Sequence, residues 1–376
     1  MKSFKRYPVF IIIMTFIITI SVSGFVTEDK VFSETENKYL AKFPVMTYKT
    51  IVDGDFTKGY ETYIADHFLF RDNWLYMKAF CEELLQKTEN NDIIFGHDGY
   101  LFPKFSSFES KALQRNLVSI DKFSASMKAP VAVMILPSKY YPLVDFLPSG
   151  YPFIDQNYYI SSINEYLSTN ASIIDAKNVL AINSEEYIYY RTDHHWTNYG
   201  AYLAYTQVAT VCGFSPFEYD QRQIRKVSER FLGTNYTKSH KILPVSDYIE
   251  YYDFEIESIT VDGVSYDSLY NMEQFTRRDK YAAFIQGNNG LTIIESIHSE
   301  DKLDSILIIK DSFANSLIPL LTEHYNTIYA IDPRFYNFNL GYKQFAEMDF
   351  TQVLIIYSFE TLAAPNNINY IALDFE

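Results

Sequence analysis

Cysteine is nearly absent: Cys81 and Cys212 are the only two in 376 residues. So few cannot build a disulfide framework, and neither belongs to a C-x-x-C or other zinc-ligand run, so both are expected as buried free thiols. Basic charge is also scarce. Lys and Arg number 32 against 47 Asp and Glu, giving a formal charge of −15 and a pI near 4.9. A phosphate backbone needs a basic footprint that this chain lacks, so nucleic acid is excluded as a partner. No internal repeat or low-complexity tract is present, and only one long apolar run occurs.

What is there suits a folded chain. Apolar residues make up 48% of the sequence, ample for one large domain or two ordinary ones. Tyr (33) and Phe (30) far outnumber Trp (2); exposed rings can stack on sugar faces, but most of these read as core. The apolar run is N-terminal. Lys2, Lys5 and Arg6 precede an uncharged stretch from Tyr7 to Thr27 whose apolar part is Pro8 to Val26. This has the form of an export signal, with Ser21-Val22-Ser23 as a small-x-small cleavage site and a span long enough for an anchor. The expectation is a signal anchor or signal peptide over 1–27, an extended linker over 28–55, and a domain over 56–376. The protein would then be extracytoplasmic, held to the membrane by its N-terminal segment, or secreted if that segment is cleaved.

The rest of the chain has an α/β rhythm. Phe56 to Ala65 and Asp72 to Lys87 read as helices, the second with Trp74, Leu75, Phe80, Cys81, Leu84 and Leu85 as a core stripe. Ile93 to Phe102 has the form of a hairpin around a Gly-x-x-Gly turn. A helix over about 107–126, a doubly buried strand at Val131 to Leu136, a helix over about 158–167 and a short strand at 172–175 follow. Thr197 caps a helix that runs to Cys212 and is closed by Gly213. From about 214 to 284 short aromatic and β-branched runs predict a β-rich insertion. Strands at Ser305 to Ile309, Thr327 to Ile331 and Val353 to Tyr357 then restore a parallel sheet flanked by helices.

Chemistry gathers at two places. In Arg191-Thr192-Asp193-His194-His195-Trp196-Thr197 strand alternation would put Asp193 and His195 on one side and His194 on the other, the arrangement of a carboxylate orienting an imidazole. The group to be activated is Ser312, at the carboxyl end of a strand and the start of a helix, where its own N–H could stabilise an oxyanion. A serine hydroxyl needs a neutral imidazole within about 3 Å to take its proton. Serine at a strand-to-helix junction is also a common cap, and Trp196 either walls the site or packs beneath it. Asp193, His194 and His195 look like metal ligands too, although adjacent histidines diverge in a strand and would need a turn to share one ion.

Asp193-His194-His195-Trp196, together with Glu36 to Ala41, Phe43-Pro44, Gly96 to Phe102 and Lys310-Asp311-Ser312-Phe313, resembles the DHHW family. The chain is similar more broadly to SGNH-hydrolase-like proteins that include the alginate O-acetyltransferases, over roughly Glu36 to Ser358. The resemblance implies a Ser-His-Asp triad in which Asp-x-His precedes the serine: Ser312 as nucleophile, His195 as general base, Asp193 as its orienting carboxylate. His194 takes no role in it. Lys310 stands where the Gly-Asp-Ser block has glycine, and Gly287-Asn288 is the counterpart offered for the remaining oxyanion donors, with a plain turn as its alternative.

The function so implied is an O-acetyltransferase or acetylesterase acting on a cell-surface or exported polysaccharide through an acyl-serine intermediate, without a cofactor. The related enzymes receive acetyl groups from a multi-spanning membrane acyltransferase, which becomes an expected partner. The alternatives are a non-catalytic glycan-binding or assembly protein on the same fold, and a metal-dependent hydrolase using Asp193 and His195.

Overall fold

The computed structural model describes residues 7–219, 224–338 and 343–372. They fall into two units, one running up to Asn90 and taking in Thr237–Leu243, the other comprising Asn91–Tyr236 and the chain from Pro244 onward.

In the first unit Pro8–Val26 is a helix of 19 residues. Among the described residues no helix is long and apolar enough to cross a membrane. This corrects the expected membrane anchor and the membrane-held location argued from it. A spanning helix needs about 20 predominantly apolar residues, and here Thr15, Thr19 and Ser21 interrupt the apolar run. Residues 28–55 hold a short hairpin, Phe32–Ser33 with Lys38–Tyr39, and a one-turn helix, Tyr48–Val52. That helix starts where Thr47 and Thr50 cap each other reciprocally.

Helices Asp55–Asp66 and Arg71–Leu84 follow. The buried Asp66 carboxylate accepts from Lys38 Nζ (2.7 Å) and Ala41 N–H (2.9 Å), and Arg71 grips Glu36 in two parallel bonds of 2.7 and 2.9 Å. The stripe expected as core is not buried: Trp74, Phe80, Leu84 and Leu85 are 41, 54, 72 and 74% exposed. Cys81 on the same helix is exposed and Cys212 half-buried, both free, so the expected pair of buried thiols is corrected as well.

The second unit is built on an eight-stranded sheet. Its order is Val264–Tyr266, Ile256–Val261, Leu291–Ser296, Tyr325–Ile331, Leu303–Lys310, Gln352–Ser358, Val131–Leu136, Ser172–Ile173. The last five are mutually parallel, and the first three extend one edge antiparallel. Every residue of Val131–Leu136 and Gln352–Ser358 is buried, because helices cover both faces and alternate side chains feed two cores. Ala132, Met134, Ile306 and Ile308 join one core, with Ala201, Ala204, Tyr205 and Val208 of helix Asn198–Cys212. Val133, Ile135, Leu307 and Ile309 join the other, with Ile120 and Phe123 of helix Ser110–Ser126 and Ile160 and Ile163 of helix Gln156–Leu167. Within 214–284, Ile224–Phe231 and Asp247–Tyr252 pair as a separate ribbon, whereas Ile256–Val261 and Val264–Tyr266 belong to the main sheet.

Candidate active site

Ser312 lies two residues past the end of strand Leu303–Lys310, which has a parallel neighbour on each side. The carboxyl ends of such strands form the usual ligand crevice of an open α/β sheet. The chain turns there into a short 3-10 helix, Ser312–Ser316, and Asp311 rather than Ser312 caps it, accepting from Phe313 N–H at 3.0 Å. The other Asp311 oxygen accepts from Ser358 N–H (2.9 Å) and Ser358 Oγ (2.7 Å), which ties the turn to the end of the adjacent strand. Lys310 is fully buried, its Nζ donating to Asn315 Oδ1 at 2.7 Å and lying 3.7 Å from Asp332 Oδ2. Burial pulls its pKa down, opposed by the Asp332 charge. Its side chain therefore leaves the nucleophile and stays beneath the turn.

The aspartate and histidine arrive on a loop. Residues 191–195 form bends rather than a strand, with Tyr189 and Trp196 bridging across the entrance. Asp193 Oδ1 accepts the N–H of His195 at 3.0 Å and faces His195 Nδ1 at 2.7 Å, so the pair meets through a local turn and not through strand alternation. His194 does not point away: its ring lies 3.9 Å from that of His195 and its Nδ1 is 3.5 Å from Asp193 Oδ1. His195 Nε2 lies 2.9 Å from Ser312 Oγ. With Nδ1 against a carboxylate the proton sits on Nδ1, leaving Nε2 to accept from the serine hydroxyl. Asp193 and His195 are buried and Ser312 is half-buried.

Burial alone would raise the Asp193 carboxyl. The imidazoles of His194 and His195, with hydrogen bonds from His195 and from Thr234 N–H at 2.7 Å, hold it well below the usual carboxylate range. Such a carboxylate stays ionised and fixes the imidazole tautomer.

Trp196 is fully buried and donates from Nε1 to Phe313 O (3.0 Å) and Ser316 Oγ (2.8 Å), so it braces the serine turn from beneath. Gly287 and Asn288 meet Asn315, whose Nδ2 donates to Gly287 O (3.4 Å) and Asn288 Oδ1 (3.0 Å). Sequence reasoning missed Tyr281. Its ring stacks on His195 with centroids 3.7 Å apart and planes at 10°, and its hydroxyl donates to Ser312 O (3.1 Å) or Phe313 O (3.2 Å). It missed Gly233 as well, where a Cβ would come within 2.4 Å of the Asp193 side chain. Neither residue stands in a motif; only the folded chain brings them to the loop.

The same bend gathers one ligand atom each from Asp193, His194 and His195 within 4.8 Å, a possible metal grouping by donor type. Both Asp193 oxygens and both His195 nitrogens, however, already have polar neighbours at 2.7–3.0 Å. The Asp193 and His195 donors are thus engaged with one another, with Ser312 and with Thr234.

A buried carboxylate and imidazole on a loop thus lie in hydrogen-bonding sequence with a serine just past the carboxyl end of a strand in a mostly parallel α/β sheet. The model of the DHHW protein family matches residues 90–331, and the chain belongs to that family. A DHHW family protein from Eubacterium siraeum is similar in structure, with a TM-score of 0.61 and 21% identity over 76% of this chain and 96% of that one. Bacillus cereus PatB1, solved with a sulfonyl adduct, gives 0.59 and 20% over 74% of this chain and 99% of its own. No curated protein matches the chain.

Proposed function

We propose that the protein is a serine-dependent O-acyltransferase or esterase that carries an acetyl group through Ser312 onto, or off, a glycan hydroxyl. The observation that carries the reading is the continuous relay of 2.9 Å from Ser312 Oγ to His195 Nε2 and 2.7 Å from His195 Nδ1 to Asp193. Membership of the DHHW family and the fold shared with PatB1, a protein captured as a sulfonyl adduct, support it.

In the first step Ser312 Oγ attacks the acetyl carbonyl and its proton passes to His195 Nε2. The N–H of Ser312, in the first turn of its helix, is placed to stabilise the oxyanion. The departing alcohol takes the proton from His195, leaving acetyl-Ser312. In the second step the acceptor hydroxyl loses its proton to His195 and attacks the ester, and Ser312 is regenerated. With a sugar as acceptor the outcome is transfer; with water it is hydrolysis. Asp193 holds Nδ1–H throughout and stabilises the imidazolium. The family resemblance implies a membrane acyltransferase as the source of the acetyl group.

The test is peptide mass spectrometry after incubation with an activated acetyl ester. Acetyl on Ser312, absent from Ser312→Ala and His195→Ala, is the expected result. No acetyl under conditions that label a control serine esterase overturns it. The grouping of Asp193 with two imidazoles within 4.8 Å favours a metal-dependent hydrolase as the second reading. Inactivation by a chelator, with Ser312→Ala still active, would put that reading first.

A further inference from the structure

Two buried ionisable side chains lie against the Tyr190–Asp193 backbone and have no part in the relay. Lys139 follows strand Val131–Leu136 and is 2% exposed. Its Nζ lies 2.6 Å from Tyr190 O, 2.8 Å from Leu101 O, and 2.9 Å from both Arg191 O and Asp193 O. The ring faces of Tyr100 and Phe102, 5.4 and 5.3 Å away, close the cage. A neutral amine has only two protons for four carbonyls; an ammonium has three, and its charge also attracts the acceptor it does not reach directly. Burial pulls the pKa of the Lys139 ammonium down to about 7, opposed by the Asp247 and Asp193 charges, while the four carbonyls favour the protonated form.

Asp247 stands on the other edge of the same peptides. It is 1% exposed and accepts from the N–H groups of Arg191 (2.6 Å) and Thr192 (2.8 Å) and from the hydroxyls of Thr192 and Tyr187. The carbonyls of 190, 191 and 193 therefore face a buried cation, and the N–H groups of 191 and 192 face a buried anion. Main-chain bonds reach only part of this run, Leu101 N–H to Arg191 O (2.8 Å) and Tyr236 N–H to Thr192 O (3.0 Å), and a buried peptide group left without a partner is costly. The two side chains take up the groups those bonds leave, and in a low-dielectric interior they hold the peptide dipoles more stiffly than water would.

We propose that Lys139 and Asp247 are positioning residues that clamp residues 190–193 by their main chain and so hold Asp193 and His195 against Ser312. The inference rests on the acyl-transfer reading of that triad. A displacement of about 1 Å at a reacting group costs on the order of 100-fold in rate. Release of the clamp thus falls on turnover and spares substrate binding.

The test uses the full chain. Lys139→Met keeps the length of the side chain and removes the charge. Its kcat is expected to fall about 30- to 100-fold with KM within about twofold. Lys139→Ala should regain activity with n-propylammonium, which replaces the missing atoms, and not with 1-propanol of similar size; a merely structural filler would respond to both. Tyr187→Phe removes a single donor from Asp247 at a half-buried position, so it tests the clamp even if Lys139→Met does not fold, and its kcat should fall about fivefold. Wild-type kcat in Tyr187→Phe or in folded Lys139→Met overturns the proposal. Turnover is not the only readout. The proton between His195 Nδ1 and Asp193 gives a far-downfield NMR resonance, expected in the wild type and lost to solvent exchange in Lys139→Met. Its persistence in the variant overturns the clamp, while a wild type that carries the resonance but transfers no acetyl overturns the acyl-transfer reading alone.

Discussion

The two halves of the candidate triad are held by different physics. Ser312 belongs to the sheet: its turn continues the strand Leu303–Lys310, and Asp311 ties it to Ser358 at the end of the adjacent strand. Asp193 and His195 lie on a loop outside the strands, pinned at its base by the Tyr189–Trp196 bridge. Their loop is fixed by buried side chains from distant parts of the chain: Lys139 on its carbonyls, Asp247 on its N–H groups, Gly233 and Thr234 packed on the Asp193 carboxylate. A sheet distributes a loss over many parallel bonds, whereas a lattice of single polar contacts has no reserve. The serine half should therefore tolerate change that the imidazole half does not.

The largest effect is expected at Asp193. In Asp193→Asn an amide replaces one oxygen where Oδ1 faces His195 Nδ1 and Oδ2 accepts from Thr234. The imidazole loses the partner that fixes its tautomer, and kcat should drop by about three to four orders of magnitude. The same variant has a pH signature. Because the folded carboxyl lies below its ordinary 3.8, its stabilisation is complete above that value and is lost as pH falls through the lower, folded one. The gap in Tm between wild type and Asp193→Asn should be widest near neutral pH and close below pH 3.8; a gap that does not change with pH contradicts this.

Gly233→Ala comes next. The added Cβ would lie 2.3 Å from Asp193 Oδ2 and 2.4 Å from Asp193 Cβ, too close without a shift of the carboxylate. Overpacking of this kind costs about 1–3 kcal/mol, and the displaced carboxylate should lower kcat by about 10- to 100-fold. Denaturant melts and initial rates measure the two effects separately.

The same division governs what the sequence reveals. Apolar runs rich in β-branched residues at Val131 to Leu136 and Ser305 to Ile309 mark strands buried on both faces, and a serine just past one of them marks the crevice, because both patterns are local. The aspartate and histidine are legible as neighbours but not in their geometry. Strand alternation would turn His194 away, whereas the side chain of Asp193 captures the His195 N–H and bends the loop, bringing both imidazoles together. Tyr281, Lys139, Asp247 and Gly233 lie 38 to 86 residues from His195 in sequence and carry no motif. Periodicity misleads in the first unit for a related reason: the spacing of Trp74, Phe80 and Leu84 specifies a helix face, but not what covers it, and the face is exposed.

Tyr281 bridges the two halves, since its ring lies on His195 and its hydroxyl points at the serine turn. Tyr281→Phe keeps the stacking and removes a hydrogen bond worth about 1 kcal/mol, a loss of about fivefold in kcat. Tyr281→Leu, which also removes the ring from His195, should lose more. Equal losses in the two variants would assign the whole effect to the hydroxyl, and hence to the serine side.

The smallest effect on rate is expected at Ser358. Its hydroxyl donates to Asp311 Oδ2 at 2.7 Å and caps the helix Phe359–Leu362 by accepting from Thr361 N–H. Ser358→Ala removes both contacts, costing about 1–2 kcal/mol of stability. Asp311 nevertheless keeps the Ser358 N–H on Oδ2 and the Phe313 N–H on Oδ1, and the strand below keeps its parallel neighbours, so Ser312 stays in place. The variant should melt at lower temperature with kcat within about twofold of wild type. If it instead lost as much rate as Gly233→Ala, the serine would depend on a single side-chain contact as the imidazole does, and the contrast between the halves would fail.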